Sequence, residues 1–425
     1  MTTATHSTKV SHMAEHLIGS EIIKLAGEIN NKIKQGEKIY NLTIGDFSPK
    51  IFPIPTLLTQ YIIDAYNNNE TNYPPADGIL ELRNAVSAFL QQHQGLTYAN
   101  DEILIAGGAR PLIYALYQTI VDANDTVLFP VPSWNNNHYT HLTHGKQQFI
   151  ETTVENNFMP TANELRPHIQ GATLLALCSP LNPTGTTFTE QGLREICQLV
   201  IEENNRRDAN EKPLYIMYDQ IYWVLTFNGI THVDPVSLYP ELRNYTIYVD
   251  GLSKAFAATG VRVGWGFGPK HVIDKMKSIL GHVGAWAPKA EQVAVANYLG
   301  STDVQPFLIT FKKMVNDRLT ALYTGIKQLQ TEGLQVDAIE PQAAIYLTLK
   351  FNYIGYTTPA GDVLATTPDI TQYLLNQAKL AIVPFSAFGS STDSVWYRAS
   401  IGTCQLADIE GIVTNLRTAL TQLKK

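Results

Sequence analysis

The 425-residue chain is poor in cysteine, modest in charge and without a long apolar run. Its three cysteines, Cys178, Cys197 and Cys404, are scattered and odd in number, which implies neither a disulfide framework nor a CxxC metal clip. Each reads as a small buried residue. No apolar stretch reaches the ~20 residues that a membrane-spanning helix needs, and the opening MTTATHSTKVSHMAEH holds no signal-peptide core. A reducing, cytoplasmic location is the expectation. There are 31 Lys and Arg against 38 Asp and Glu, a net charge of −7, so nucleic acid and anionic membrane are not expected partners. No G-x4-GK[ST] phosphate loop and no G-x-S-x-G nucleophile elbow occurs. His138, His141 and His144 recur three apart with no carboxylate or cysteine nearby, so a polar helix is favoured and no metal is expected. Gly264-Trp265-Gly266-Phe267-Gly268 lacks the third glycine of a dinucleotide loop and reads as strand interior.

Apolar material is ample, at 44% of residues, and the length predicts two domains. Short apolar runs at Ile103–Ala106, Thr126–Phe129, Leu174–Leu177, Leu214–Tyr218, Thr246–Val249 and Gly264–Phe267 read as strands. Helix-spaced segments such as Arg110–Val121 and Glu190–Glu203 lie between them. That alternation predicts an α/β unit around a largely parallel sheet, with ligands expected at the carboxyl ends of its strands. From Thr302 to Leu329 a long amphipathic stretch (Phe307, Ile309, Phe311, Met314, Leu319, Leu322, Ile326, Leu329) predicts a connecting helix. Beyond it, Ala343–Leu349, Ala381–Val383 and Val395–Ile401 predict the strands of a smaller α+β domain. The expected division is 1–48 and 302–425 for the smaller domain and 49–301 for the larger.

Polar clusters follow several of these runs. Lys254 sits in the small-residue loop Gly251-Leu252-Ser253-Lys254-Ala255, and Arg262 follows eight residues later. Alone, Lys254 reads better as a surface lysine. With Arg262 it suits a desolvated amine that forms a Schiff base beside an anchored anion such as phosphate. Asp219 ends an apolar run, where an ionised carboxylate needs a cation such as a protonated pyridine nitrogen; the plain alternative is a helix cap. Tyr222, three residues on, suits a phenolate oxygen. Asn182 stands in Asn-Pro-Thr-Gly, which is strong turn chemistry on its own. Gly107-Gly108-Ala109-Arg110 opens a helix, where free N–H groups make a ready phosphate site.

Jointly these motifs, in this order and spacing, resemble the class I aminotransferases of pyridoxal-phosphate fold type I, from about Asn41 to Arg398. Tyr73-x4-Gly78-x3-Leu82-Arg83, Pro132-Ser133-Trp134 and Trp396-Tyr397-Arg398 are similar to further segments of that family. The resemblance implies a large cofactor domain with a mainly parallel seven-stranded sheet between helices. It also implies a smaller α+β domain built from both chain ends. Pyridoxal 5'-phosphate would be carried on Lys254, which also moves the proton at the substrate Cα. Asp219 would keep the ring nitrogen protonated, and Asn182 and Tyr222 would bond the ring oxygen. Gly108, Ala109, Arg110 and Arg262 would hold the phosphate. Trp134 would stack on the ring, Arg398 would pair with the substrate α-carboxylate, and Gly45 would line the substrate side. Tyr73 would reach the phosphate of a second copy, which makes a homodimer the expected state.

Two positions depart from that family's pattern. Gly251 stands where a phosphate-donating Ser or Thr is common, with Ser253 or Arg110 as possible substitutes, and Gln220 replaces the usual Glu after Asp219. The activity implied is ping-pong transfer of an amino group between an L-amino acid and a 2-oxo acid. β-Elimination, decarboxylation or racemisation on the same scaffold would use the same cofactor residues. Apolar and aromatic residues expected near the pocket (Phe47, Ile51, Trp223, Phe385, Phe388) tilt toward a hydrophobic amino donor, whereas Arg110 would serve an acidic one.

Overall fold

The strands form where the apolar runs fall because both faces of each run are covered. The computed structural model describes residues 10–17 and 21–425; positions 1–9 and 18–20 of the expected N-terminal segment lie outside the described residues. After a short β1 (Tyr40–Asn41) come β2 (Ile103–Ala106), β3 (Thr126–Val131), β4 (Lys146–Glu151) and β5 (Ala172–Cys178). They are followed by β6 (Tyr215–Asp219), β7 (Thr246–Gly251) and β8 (Gly264–Phe267). Strands β2 to β8 make one seven-stranded sheet in the order β2-β8-β7-β6-β5-β3-β4, parallel except that β8 runs against β2 and β7. Along β2, Ile103 and Ile105 enter one core while Leu104 and Ala106 enter the other. Along β5, Leu175 and Leu177 oppose Leu174 and Ala176 in the same way. Two-sided burial is what makes these strands read as continuous apolar runs.

The sequence reading missed β4 for the converse reason. It is the sheet edge, written Lys-Gln-Gln-Phe-Ile-Glu, with only Ile150 buried. The smaller sheets use β9 (Val336–Ala338), β10 (Tyr346–Phe351), β11 (Leu380–Ala381), β12 (Val383–Pro384) and β13 (Trp396–Ser400). β12-β13-β10-β9 is antiparallel, and β1 pairs with β11 in parallel, so the N-terminal segment does return to the C-terminal one. The run expected as one strand over 381–383 divides at Ile382, sending its two halves to different sheets. The connecting helix spans Val304–Thr331 and buries Leu308, Phe311, Val315, Leu319, Leu322, Ile326 and Leu329 at three- and four-residue spacing. Ile309, expected on that stripe, is 68% exposed. Among the described residues no helix is long and apolar enough to cross a membrane.

Register decides what meets at the carboxyl edge of the large sheet. Cys178 pairs with Asp219 across β5 and β6, Gly251 with Gly264 across β7 and β8, and Ala106 with Gly264 across β2 and β8. The backbones at the last junction come so close that only glycine fits. A Cβ on Gly264 would lie 2.6 Å from the Gly108 carbonyl carbon and 2.9 Å from the Ala109 nitrogen. Gly264→Ala is therefore expected to lower stability by about 1–3 kcal/mol. Urea denaturation of the variant and the parent chain measures this, and an unchanged midpoint would refute the contact.

Candidate active site

Strand β7 delivers Lys254 directly. The chain leaves the sheet at Gly251 and turns through the short helix Leu252–Ala255, which carries the lysine over the sheet edge. Its Nζ donates to the Gly45 carbonyl at 2.6 Å and stands 5.9 Å from the Phe47 ring and 5.8 Å from the Tyr222 ring. Burial depresses its pKa to about 8, with Arg398, Arg110 and Arg262 pushing the same way and Asp46 opposing. Asp219, at the end of β6, has its carboxyl raised to about 6 by burial, and its side chain accepts from the Ile221 N–H at 3.1 Å. Cations that would hold it ionised are not among the causes of its shift. The site thus holds an amine tuned toward neutrality and a buried carboxyl that forms no ion pair among the described residues.

Arg398 lies on β13 and is only 2% exposed. It donates from Nη2 to the Thr43 carbonyl at 2.6 Å and from Nη1 to Asn182 Oδ1 at 3.1 Å, while its Nε is buried without a partner. The Tyr346 and Phe388 rings each lie 4.8 Å from the guanidinium. Among the described residues it forms no ion pair, so a buried cation waits for an anion. The Tyr222 and Tyr346 hydroxyls share a hydrogen bond of 2.5 Å, and burial raises the pKa of both. Gly45 closes this side, because a Cβ there would lie 2.8 Å from the Tyr346 hydroxyl. The Asn-Pro-Thr-Gly turn is also structural. Thr184 accepts at its carbonyl from the Thr348 hydroxyl, and Gly185 accepts from the Ala343 N–H, so the smaller sheet clamps the loop that aims Asn182.

The anion side forms where β2 meets the helix Ala109–Ile120. Gly108 has φ +102° and begins that helix, whose first N–H groups have no partner in the preceding turn. Arg262 donates to the Gly107 carbonyl at 2.8 Å and the Thr259 carbonyl at 2.7 Å, which sets its guanidinium against Gly108. Arg110 is exposed and lies 5.4 Å over the Trp134 ring, whose other neighbour is Phe388. Ser253 is buried on the Lys254 turn. The missing Ser or Thr at position 251 has a steric cause: a Cβ there would lie 2.8 Å from the Gly264 Cα. Tyr73 does not join this site within one chain. It is 82% exposed and packs edge-on against Trp286 at 5.4 Å.

A sequence profile described as aminotransferase class I and II matches residues 37–416. The chain belongs to that family. It is 28% identical over 407 residues to an aspartate aminotransferase of Rhizobium meliloti, covering 95% of this chain and 94% of the relative. A bifunctional aspartate and glutamate/aspartate-prephenate aminotransferase of Petunia hybrida is 29% identical over 410 residues, with 95% and 81% covered. The solved structure of a Rhizobium meliloti aspartate aminotransferase superposes with a TM-score of 0.89 at 27% identity, over 98% of this chain and all of that one. This aminotransferase therefore has the expected fold, with seven mostly parallel strands.

Sequence reasoning passed over Tyr346, the Thr43 carbonyl and Asp250. Tyr346 begins an ordinary apolar strand, and a carbonyl has no sequence signature. Asp250 falls between the Thr246–Val249 run and the Lys254 loop and belonged to neither. Of the apolar residues expected near the pocket, Phe47 and Phe388 flank Lys254 and Arg398, whereas Phe385 packs on Phe158. Trp223 points elsewhere, donating to Asp250 at 2.8 Å. Of the three histidines, His141 bonds the Met13 carbonyl, and His144 lies beyond the helix Asn136–Leu142.

The raised Asp219 pKa carries a stability signature. The folded chain holds that proton more tightly than the unfolded one, so the contribution is present below pH about 4 and lost as pH rises through about 6. Without small ligands, Asp219→Asn is expected to exceed the parent chain in stability by about 1–3 kcal/mol at pH ~8, converging toward pH ~4. Denaturation at both pH values checks this; a difference independent of pH would contradict it.

Proposed function

We propose that this chain is a pyridoxal-phosphate-dependent aminotransferase whose amino donor is aspartate or another short acidic amino acid and whose acceptor is a 2-oxo acid. One observation carries the reading: a buried arginine without a counter-ion, Arg398, shares the wall at Gly45 with the neutral-tuned amine of Lys254. The first recognises a carboxylate, and the second moves a proton at the adjacent carbon. The acidic donor is supported by relatives named as aspartate aminotransferases over most of their length.

The residues fit the cofactor. Asp219 needs a cation at the site floor, which a protonated ring nitrogen supplies. The helix start at Gly108 and Ala109, with Arg110 and Arg262 beside it, suits a phosphate. Trp134 would cover one ring face, and Asn182 and Tyr222 would bond the ring oxygen. Ser253 would add a donor that Gly251 lacks. When bound, pyridoxal phosphate supplies the carbonyl carbon that exchanges amino groups and a ring that accepts electron density from the substrate. Arg398, held by Thr43 and Asn182, orients the substrate so that its Cα proton faces Lys254.

The reading includes a homodimer, supported by the exposure of Tyr73, and a cytoplasmic location, supported by three unpaired cysteines. It also divides the chain into a cofactor domain, 49–301, and a smaller domain from 1–48 and 302–425, as the strand membership of the sheets suggests.

A panel of amino acids, scored by loss of the visible cofactor absorbance, tests the donor. Aspartate and glutamate should convert the enzyme; conversion by aromatic or aliphatic donors alone would sink the acidic reading, and none at all would sink the whole. Lys254→Ala should lower kcat by at least ~10²–10⁴-fold. Arg398→Lys, which loses the two-pronged contact, should raise KM for both amino and oxo acids by roughly 10–100-fold. An unchanged KM would remove Arg398 from substrate binding.

A further inference from the structure

A cavity of about 580 Å³ opens at the far side of the Lys254 loop and shares no residue with the site described above. It is walled by His93 and Gln94 at the end of the helix Leu80–Gln94, by the segment from Trp223 to Asp234, and by Leu308 and Lys312 of the connecting helix. Its volume suits a small metabolite rather than a water cluster.

A buried hydrogen-bond chain ends in this cavity. Asp250 accepts from the Gly251 N–H at 2.7 Å, the Trp223 indole at 2.8 Å and the Gln220 amide at 3.4 Å. The same amide donates to Gln94 Oε1 at 3.1 Å, so Gln220 Oε1 is left to accept from His232 Nε2 at 3.3 Å. The Gly251 N–H and the Trp223 indole can only donate, so Asp250 accepts from both, while the Gln220 amide turns its nitrogen toward Asp250 and Gln94 and its oxygen toward His232. Two buried atoms remain without partners, Gln94 Nε2 and His232 Nδ1, and both residues line the cavity. Lys312 is a third polar group there. Burial lowers its pKa, and among the described residues it forms no ion pair.

We propose that this cavity is a second small-molecule site, that it takes a metabolite bearing a carboxylate, and that binding brings one proton onto His232. Gln94, Lys312 and, once protonated, His232 each bring a donor to the wall of this cavity, and Trp223, Ile230 and Leu308 offer apolar wall for a carbon chain. The charged and titratable groups around His232 are Asp234 on its own segment, Tyr218 at 6.0 Å on β6, His93, Lys312 and, through Gln220, Asp250, whose carboxyl burial raises to about 7. Asp234 is engaged by the Tyr248 hydroxyl and the Val236 and Ser237 N–H groups. Burial holds the empty His232 down at about 4, so near neutrality the ring is uncharged and its Nδ1 can only accept. A carboxylate reverses that preference and draws in a proton. The affinity consequently falls as pH rises above the empty-state value.

Glutarate, a dicarboxylate with no amino or oxo group to react, is the probe. It is titrated calorimetrically into the full chain loaded with pyridoxal phosphate, at pH about 6 and about 8, in two buffers of different ionisation enthalpy. The expected result is two sites per chain, one with an apparent enthalpy that depends on the buffer and with weaker binding at the higher pH. Lys312→Met should weaken that site about tenfold or more, leaving the first site and the transamination rate unchanged. His232→Gln, which still donates toward Gln220 but takes no proton, should weaken the site and abolish its pH dependence. A single site in the parent chain, a second site indifferent to both substitutions, or binding without proton uptake would each overturn the proposal. Failure of the aminotransferase reading would alter the first site only, leaving the Lys312-dependent one in place.

Discussion

A guanidinium buried without a carboxylate organises this molecule. Arg398 reaches the Thr43 carbonyl from the N-terminal segment, Asn182 from the loop after β5, and the rings of Tyr346 and Phe388 from the smaller sheet region. Burying a cation costs free energy that hydrogen bonds and ring faces must offset. Parts of the chain far apart in sequence converge to supply them. The Arg398 Nε is left buried without a partner among the described residues. The smaller sheet, the returning N-terminus and the Asn-Pro-Thr-Gly turn all meet at this side chain.

The opposite wall depends on close backbone contact rather than charge. Gly108, Gly251 and Gly264 stack where β2, β7 and β8 leave the sheet, at separations that admit no Cβ. This closeness brings the helix start at Ala109 against the Lys254 turn, and it also removes the side chain that could donate at position 251. The polar groups left at this wall are the helix N–H groups and the arginines. One packing constraint thus explains both the placement of the phosphate side and its departure from the family pattern.

Gln220 gains a meaning from its surroundings. Where the family usually carries Glu, this chain has an amide that donates to Asp250, so the carboxylate sits across the pair instead. Burial raises that carboxyl to about 7, with Asp219 contributing the same way. A second titratable layer thereby lies behind the catalytic one, linked to it through Gly251 and reaching the far cavity through His232.

Much of the site was legible in the sequence because local chemistry writes itself locally. Lys254 with Arg262, Asp219 with Tyr222, and the glycines opening the helix at Ala109 each follow a buried strand, and two-sided burial marks such strands as apolar runs. The edge strand β4 left no such mark, and neither did the division at Ile382, since both are decided by which neighbour is present. Ile309 and Trp223 misled for the same reason: an apolar residue records that it is apolar, not which surface meets it. The sequence by itself determined the fold class, the placement of Lys254 just past a buried strand and the identity of the charged groups. Only the tertiary structure decided that Arg398 forms no ion pair among the described residues, that Tyr346 bonds Tyr222, and that Asp250 accepts from Trp223 and Gln220. Those facts depend on register and on contacts between distant segments, which a linear pattern of residue types does not encode.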